Sequence, residues 1–457
     1  VDETVEAPIA SQAALHNSDK VRRRGVLAAA VGTVVEYYDL MVYAYLAVVI
    51  SPVFFPGYDT TAALLATLAV MASAYFVRPI GGIFLGRLGD RYGRKRALMV
   101  SVGMMGLGTM LMAVLPTYET IGVLAPILLV VVRLVQGFSA GGEYGGALTF
   151  VYETVGRHRK GLATAFVVMG TNGGCALAAV VVGVVSGVTT EAQMSSWGWR
   201  IPFVVGLPLL LFCLWTRTRI EDTEQFTQAV HRNEVTKSPL LLVLRTHRRA
   251  VLQVFGIGLA ANAAGYMVLT YIGIHLVRQN GYPQAAVSWT IALFIAIVAL
   301  LTPVAGLLVD RFGSLRVILA GLLLTAGAAY PALAAMAGHG LAVAGVAFLA
   351  FSLGTPLIQV GNAPLMTSLF ATSVRQTGVS LAFNLSNVAA GGTAAYISTW
   401  LINTTGDPLS PSYFLIGTCL IALVSLATIR RRHIDIPESP NQPPEDSAVL
   451  TRLTDDK

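Results

Sequence analysis

The chain has 457 residues, 55% of them hydrophobic and only 12% charged, with a mean hydropathy of +0.67. Soluble domains carry about 25% charged residues, so an ordinary water-soluble protein is excluded. The net charge of +7 does not indicate nucleic acid either, because the basic residues cluster in particular loops rather than on one face.

The apolar residues fall in blocks of roughly 20 or more, enough to cross a hydrocarbon core about 30 Å thick. Backbone groups inside lipid must bond within their own segment, so each block is expected to be a helix. In chain order the blocks are 25–51, 62–86, 97–115, 121–151, 161–189, 199–217, 250–276, 285–309, 315–335, 341–370, 376–402 and 411–429. The expected class is an all-α integral membrane protein with twelve transmembrane helices in two six-helix, pseudo-symmetric halves. Residues 1–24 form a polar tail without an apolar signal-peptide core, leaving membrane insertion to the first span. The halves are 25–217 and 250–430, with the charged break 218–249 as linker and 431–457 as a tail. Cys175, Cys213 and Cys419 lie inside apolar blocks and read as packing residues, not as a disulfide framework.

Lysine and arginine placement sets the orientation. Every second loop is basic, with Lys20 and Arg22–Arg24, then Arg87, Arg91, Arg94, Lys95 and Arg96, then Arg157, Arg159 and Lys160. Beyond the linker the same side carries Arg311, Arg316, Arg375 and Arg430–Arg432. The alternate loops hold Asp59, Glu119, Glu191 and Asp407, with few basic residues. Both termini are therefore expected in the cytoplasm of a cell whose plasma or inner membrane the chain crosses repeatedly.

Residues 86–96 read GRLGDRYGRKR, and a weaker copy, GLLVDRFGSLR, recurs at 306–316, about half a chain later. Gly86 permits close helix packing, and Gly93 permits a tight turn. Asp90 is placed to accept from a helix N-terminus, while Arg91 and Arg94 offer forked donors to carboxylates. The second copy keeps Gly306, Asp310, Arg311 and Gly313. A positive-inside signal alone would not require that repetition, so the loop is read as a cytoplasmic latch, with Glu153 at the end of the fourth span as a partner for its arginines.

The loop signature between the second and third spans resembles the major facilitator superfamily. The strings VEYYDLMVYAYLA at 35–47, VRPIGG at 77–82, RLVQGFSAGGEYGGA at 133–147, WGWRIPF at 197–203, NAAGYMVLTY at 262–271 and VRQTGVSLAFN at 374–384 are similar to the metabolite:proton symporter family, which includes proline/betaine, 2-oxoglutarate, citrate and shikimate carriers. The family's first-span motif is Glu-Trp-Tyr/Phe-Asp, and Tyr37 stands here in place of the tryptophan, a change of aromatic shape at an expected solute contact. The tail after Arg432 is short, acidic and without heptads, unlike the coiled-coil tail of the osmosensing proline/betaine carrier. The resemblance implies proton-coupled alternating access, with the proton as coupling ion and no other cofactor.

Ionisable residues in spans are costly and normally face a cavity or a partner. Here they concentrate in the first half: Glu36, Asp39, Arg78, Arg133 and Glu143. Glu36 and Asp39 share one helix face. Transporter sites lie near the midplane between repeats, so Arg78 or Arg133 is expected on a solute carboxylate. Asp39 and Glu36, ahead of Glu143, are candidates for the coupled proton. Arg133, Gln136 and Gly137 also match an Arg-x-x-Gln-Gly motif of the superfamily that serves packing and proton transfer, and structural ion pairing is the competing role for these charges. Gln136 joins the arginines as a candidate solute contact, and from the second half the candidates are Asn262, Tyr266, Tyr271, Gln359, Asn362, Asn384 and Asn387; Tyr266 and Asn384 are preferred because the strings around them carry the resemblance. His275 reads as an interfacial residue.

No Walker loop, metal-helix motif or hydrolase elbow in its required context occurs, so the chain is expected to be neither an ATP-driven pump nor an enzyme. The leading expectation is a monomeric proton symporter importing a small polar metabolite, a carboxylate or zwitterion. Two rivals stand beside it: a proton-coupled exporter of drugs or natural products on the same fold, and a non-transporting receptor or scaffold. The fifth span lacks the proline of the exporter motif Gly-Pro-x-x-Gly-Gly, and the short tails offer no signalling domain.

Overall fold

The computed structural model describes residues 9–156, 159–218, 239–337, 340–371 and 374–429; the side chains of residues 9–24, Asp90, Arg94 and Pro239 lie outside that description. Among the described residues the structure is helical, without strands. Eleven helices are long and apolar enough to cross a membrane: Gly25–Tyr45, Thr60–Gly89, Lys95–Ala113, Leu124–Thr154, Lys160–Val188, Gly198–Thr218, Arg248–Arg278, Gln284–Phe312, Ser314–Met336, Leu341–Ser368 and Ser410–Ala427. They correspond to spans 1–10 and 12. Span 11 is split into Arg375–Ala390 and Ala394–Thr405. Gly391 and Gly392 occupy the break, where two poor helix formers meet, and their amides fold back onto the Asn387 carbonyl at 2.8 and 3.2 Å.

Two further irregularities lie at membrane depth. Span 4 is interrupted at Gly141–Gly142, between Leu124–Ala140 and Glu143–Thr154. Span 7 passes through a π-helical turn, Met267–Tyr271, a distortion found mostly at functional sites. The expected linker is not wholly irregular, since Pro239–Thr246 forms a short helix ahead of span 7; residues 219–238 of that segment lie outside the described residues.

Close helix approach rests on small residues, as expected where lipid supplies no hydrophobic drive between helices. At Gly137 of span 4 a Cβ would run into the backbone carbonyl of Ala74 in span 2, so these helices touch backbone to backbone. The two halves meet along spans 5 and 8 and along spans 2 and 11.

At the end carrying the 86–96 loop, polar bonds tie the halves together. Gly93 and Gly313 turn the chain at φ 105 and 84, in line with the repeated loop. Asp310 accepts from the Gly161 and Leu162 amides at 2.7 and 3.0 Å. A carboxylate in the last turn of its own helix is disfavoured by that dipole, and here it sits instead on the positive end of span 5 from the other half. The role expected of Asp90 is thus performed by its repeat counterpart, while the Asp90 and Arg94 side chains lie outside the described residues. Glu153 pairs across the halves with Arg375 at 3.4 Å, a residue counted from sequence only as a loop charge. Contrary to expectation, Arg91 and Arg311 are exposed and lie over the adjacent rings of Tyr92 and Phe312, each 5.3 Å from the centroid. Gly86 faces Thr377 of span 11.

Two outcomes follow. Gly137→Val should destabilise the protein by about 1–3 kcal/mol through overpacking, seen as a lower thermal midpoint in detergent; an unchanged midpoint would contradict the backbone contact. Asp310→Ala should remove a cap worth about 0.5–2 kcal/mol and loosen this end, so that a Thr377→Cys reporter reacts faster with a thiol reagent. The three native cysteines are buried and give little background. An unchanged labelling rate would show that Asp310 does not hold the end shut.

Candidate functional site

Where the two halves face each other at mid-depth, the π-helical turn of span 7, span 10 and span 11 meet spans 1, 4 and 5 around a small cavity. Its walls are aromatic and amide: Tyr37, Tyr144, Tyr266 and Phe383, with Asn262, Gln359 and Asn362, closed by Thr171 and Leu269. The cavity measures about 20 Å³, room for one water, so a solute enters only when the halves part. Tyr144 and Phe383 stack across the halves at 4.5 Å, and Tyr37 meets the Tyr144 ring edge-on at 6.4 Å. No charged side chain belongs to this lining.

The lining is polar yet incompletely bonded. Tyr266 Oη, Gln359 Oε1 and Asn362 Oδ1 are buried with no hydrogen-bond partner, although such groups are normally satisfied. Asn262 donates to Ser386 Oγ at 2.9 Å.

Behind the aromatic wall lies the first ionic cluster. The Tyr75 ring stands edge-to-face with Tyr266 at 5.5 Å and carries the Arg78 guanidinium over its face at 4.3 Å. Arg78 approaches Glu36 at only 3.8 Å. Neither Glu36 oxygen accepts a hydrogen bond, and Arg78 Nε has no acceptor. Both side chains are nearly inaccessible, so this is a loose ion pair with spare capacity on both partners.

The second cluster is closed. Asp39 accepts from Thr109 Oγ1 at 2.7 Å and from Gln136 Nε2 at 2.6 Å. Gln136 Oε1 accepts from Arg133 Nη1 at 3.0 Å, and the Arg133 guanidinium lies 3.8 Å over the Tyr43 ring. Asp39, Arg133 and Gln136 therefore lock spans 1, 3 and 4 together within one half, away from the cavity lining.

A third cluster was not anticipated. Glu143 does not face the cavity; both its oxygens bind the guanidinium of Arg217, at the end of span 6. Arg217 gives no distinctive signal in the sequence because it closes an apolar span, where an arginine reads as an interfacial anchor.

Among the expected solute contacts, Tyr37, Tyr266, Asn262, Gln359 and Asn362 line the cavity, Arg78 stands one side chain behind it, and Tyr271 and Asn387 are buried outside the lining. Arg133 and Gln136 do not line it. Asn384, preferred on the resemblance, instead donates to the Gly141 carbonyl at 2.6 Å and staples span 11 onto the break in span 4. His275 is not interfacial: it is buried, with Nδ1 3.1 Å from the Tyr271 hydroxyl. Tyr144 and Phe383 were missed as lining residues, although both lie in strings that carry the family resemblance; only the break after Gly142 and the crossing of span 11 aim them at one point.

Comparison with known proteins agrees with this architecture. The family model described as Major Facilitator Superfamily matches residues 29–279 and 254–454. The proline/betaine transporter of Salmonella typhimurium is 34% identical over 433 residues, covering 92% of this chain and 84% of that protein. The glycine betaine/proline/ectoine/pipecolic acid transporter OusA of Dickeya dadantii is 33% identical over 416 residues, covering 88% and 82%. Among solved structures, a partially occluded inward-open form of the xylose transporter XylE from E. coli superposes with a TM-score of 0.71 at 16% identity, covering 93% of this chain and all of that one. The repeated loop, the twelve spans in two halves and the mid-depth cavity between them thus belong to a multi-pass membrane transporter, and the chain is a member of the Major Facilitator Superfamily.

Proposed function

We propose that this protein imports a small zwitterion, of the proline or betaine kind, together with a proton, by alternating access across the cell membrane. The observation that carries the reading is the cavity lining. Tyr37, Tyr144, Tyr266 and Phe383 present aromatic faces and edges, which attract an alkylated ammonium by cation–π interaction. The unbonded oxygens of Tyr266, Gln359 and Asn362 supply polar contacts that fix its orientation. Arg78, with an unbonded Nε behind Tyr75, is the group that a solute carboxylate would engage once the rings part. The names of the relatives, proline/betaine transporter and glycine betaine/proline/ectoine/pipecolic acid transporter, support the same solute class.

Glu36 is the favoured proton carrier over Asp39. Protonating Asp39 would weaken the bonds from Thr109 and Gln136, whereas protonating Glu36 breaks no hydrogen bond. Asp39 in this reading is a structural anion of the amino-terminal half. The basic loops put the 86–96 end and both termini in the cytoplasm. The bonds from Asp310 and Glu153 then form the inner latch, the protein works as a monomer, and it needs no cofactor beyond the coupling proton.

In proteoliposomes with an inward proton gradient, labelled glycine betaine or proline should accumulate, and 2-oxoglutarate and citrate should not. Tyr266→Leu should raise KM by roughly 2- to 30-fold, the scale of one lost cation–π contact of about 0.5–2 kcal/mol. Accumulation of a di- or tricarboxylate in place of the zwitterions would overturn the solute assignment. Asp39→Asn should instead lower the thermal midpoint, costing about 1–3 kcal/mol through a buried amide left badly bonded; full stability with lost proton coupling would return the proton role to Asp39.

A further inference from the structure

Arg217 and Glu143 form a buried two-point ion pair, yet nothing in the cavity reading uses them. Arg217 lies in the last turn of span 6 and is 2% exposed. Its Nη1 donates to Glu143 Oε2 at 3.0 Å and to the Leu98 carbonyl of span 3 at 2.9 Å, and its Nη2 binds Glu143 Oε1. The Ser101 hydroxyl stands 3.0 Å from Glu143 Oε2 and 2.8 Å from the Ser139 carbonyl. Cys213, one turn before Arg217, is buried beside the pair.

The pair is also pressed against span 1. At Gly32 a Cβ would collide with the Arg217 guanidinium and lie 3.1 Å from Glu143 Oε1, so a side chain there would displace the pair. Gly32 is one helical turn from Glu36 on the same face, so Glu36 and the Arg217–Glu143 pair lie along one side of span 1. On the other side of Arg217 the next residue, Thr218, accepts from Lys95 Nζ at 3.0 Å, at the exposed end of the bundle that carries the 86–96 loop. Glu36, Glu143 and Arg217 thus form a column from the mid-depth site to that end, built wholly within one half.

We propose that Glu143 is the second proton station of the transport cycle and that Arg217 is its gate. The inference rests on the proton-symport reading above. With Arg217 bound to both oxygens, Glu143 is a charge-paired carboxylate, and the guanidinium stands where a proton from Glu36 would arrive. When span 6 shifts against spans 1 and 4 as the inner end opens, the guanidinium withdraws and Glu143 is left bare beside span 1. The Glu36 O–H bond then breaks and its proton forms an O–H bond on Glu143. Glu36 becomes a carboxylate opposite Arg78, and the net charge of the column is unchanged. Glu143 next passes the proton to water at the loop end, and Arg217 closes on it again. Arg217 here is a positioning residue that acts through Glu143.

The test compares Glu143→Gln, Arg217→Gln and the double variant in proteoliposomes with labelled glycine betaine. Two rates are read from each: solute counterflow without a gradient, and accumulation driven by an inward proton gradient. The double variant removes both charges together and so leaves neither one buried without its partner, which guards against simple misfolding. The expected result is wild-type counterflow in the double variant, with gradient-driven accumulation reduced on the order of 100-fold, the scale of removing a positioned proton acceptor. Arg217→Gln alone should uncouple, retaining counterflow while its accumulation falls with external pH differently from wild type. If the double variant accumulates solute like wild type, the pair is a structural clasp and the relay is wrong, while the symport reading stands. If wild type itself shows no gradient-driven accumulation, the symport reading fails and the relay fails with it.

Discussion

A charge inside a bilayer is tolerable only when a partner and hydrogen bonds replace its water, and the charges of the amino-terminal half meet that condition unequally. Asp39 and Glu143 have their oxygens bonded. Glu36 has neither oxygen bonded and keeps Arg78 at 3.8 Å. A buried pair left loose at this cost calls for compensation, and the compensation available is a solute and a proton. The Asp39 cluster ties spans 1, 3 and 4 together so that the loose pair stays in place.

The carboxyl-terminal half answers with a different chemistry. Away from the helix ends it brings no charge to the cavity, only Tyr266, Asn262, Gln359, Asn362 and Phe383. Its backbone is distorted where these side chains cluster, at the π-helical turn after Tyr266. One half therefore carries the charges buried away from the span ends and the other lines the cavity with aromatic and amide groups. The halves can rock as bodies because most of their mutual bonds are few and terminal, such as Asp310 on the span 5 amides and Arg375 on Glu153.

Span number, the two halves and the repeated loop were legible from hydropathy and from the recurrence of Asp-Arg-x-Gly, because burial in lipid dictates composition over twenty residues at a time. The chemistry of single residues was less so. Asp310 follows the same pattern as Asp90, but which helix end each would cap depends on how the halves meet. Asn384 looks like a solute contact from its surroundings and is a staple to the Gly141 carbonyl, since polarity alone does not say which neighbour a helix face meets. Arg217 was hidden by its place at a span end, where an arginine usually snorkels to the interface; its burial follows from Gly32 on span 1, whose missing side chain makes the space. Glu36 and Asp39, three residues apart, could not be ranked from spacing and are separated only by their hydrogen bonds.

The central claim is that the loose Glu36–Arg78 pair couples solute to proton. The most direct measurement is the external pH change when glycine betaine is added to lightly buffered proteoliposomes at zero initial gradient. The account predicts an alkalinisation proportional to solute entry in wild type, and none in Glu36→Gln, which should still exchange solute in counterflow. Solute-dependent proton entry that persists in Glu36→Gln would contradict it.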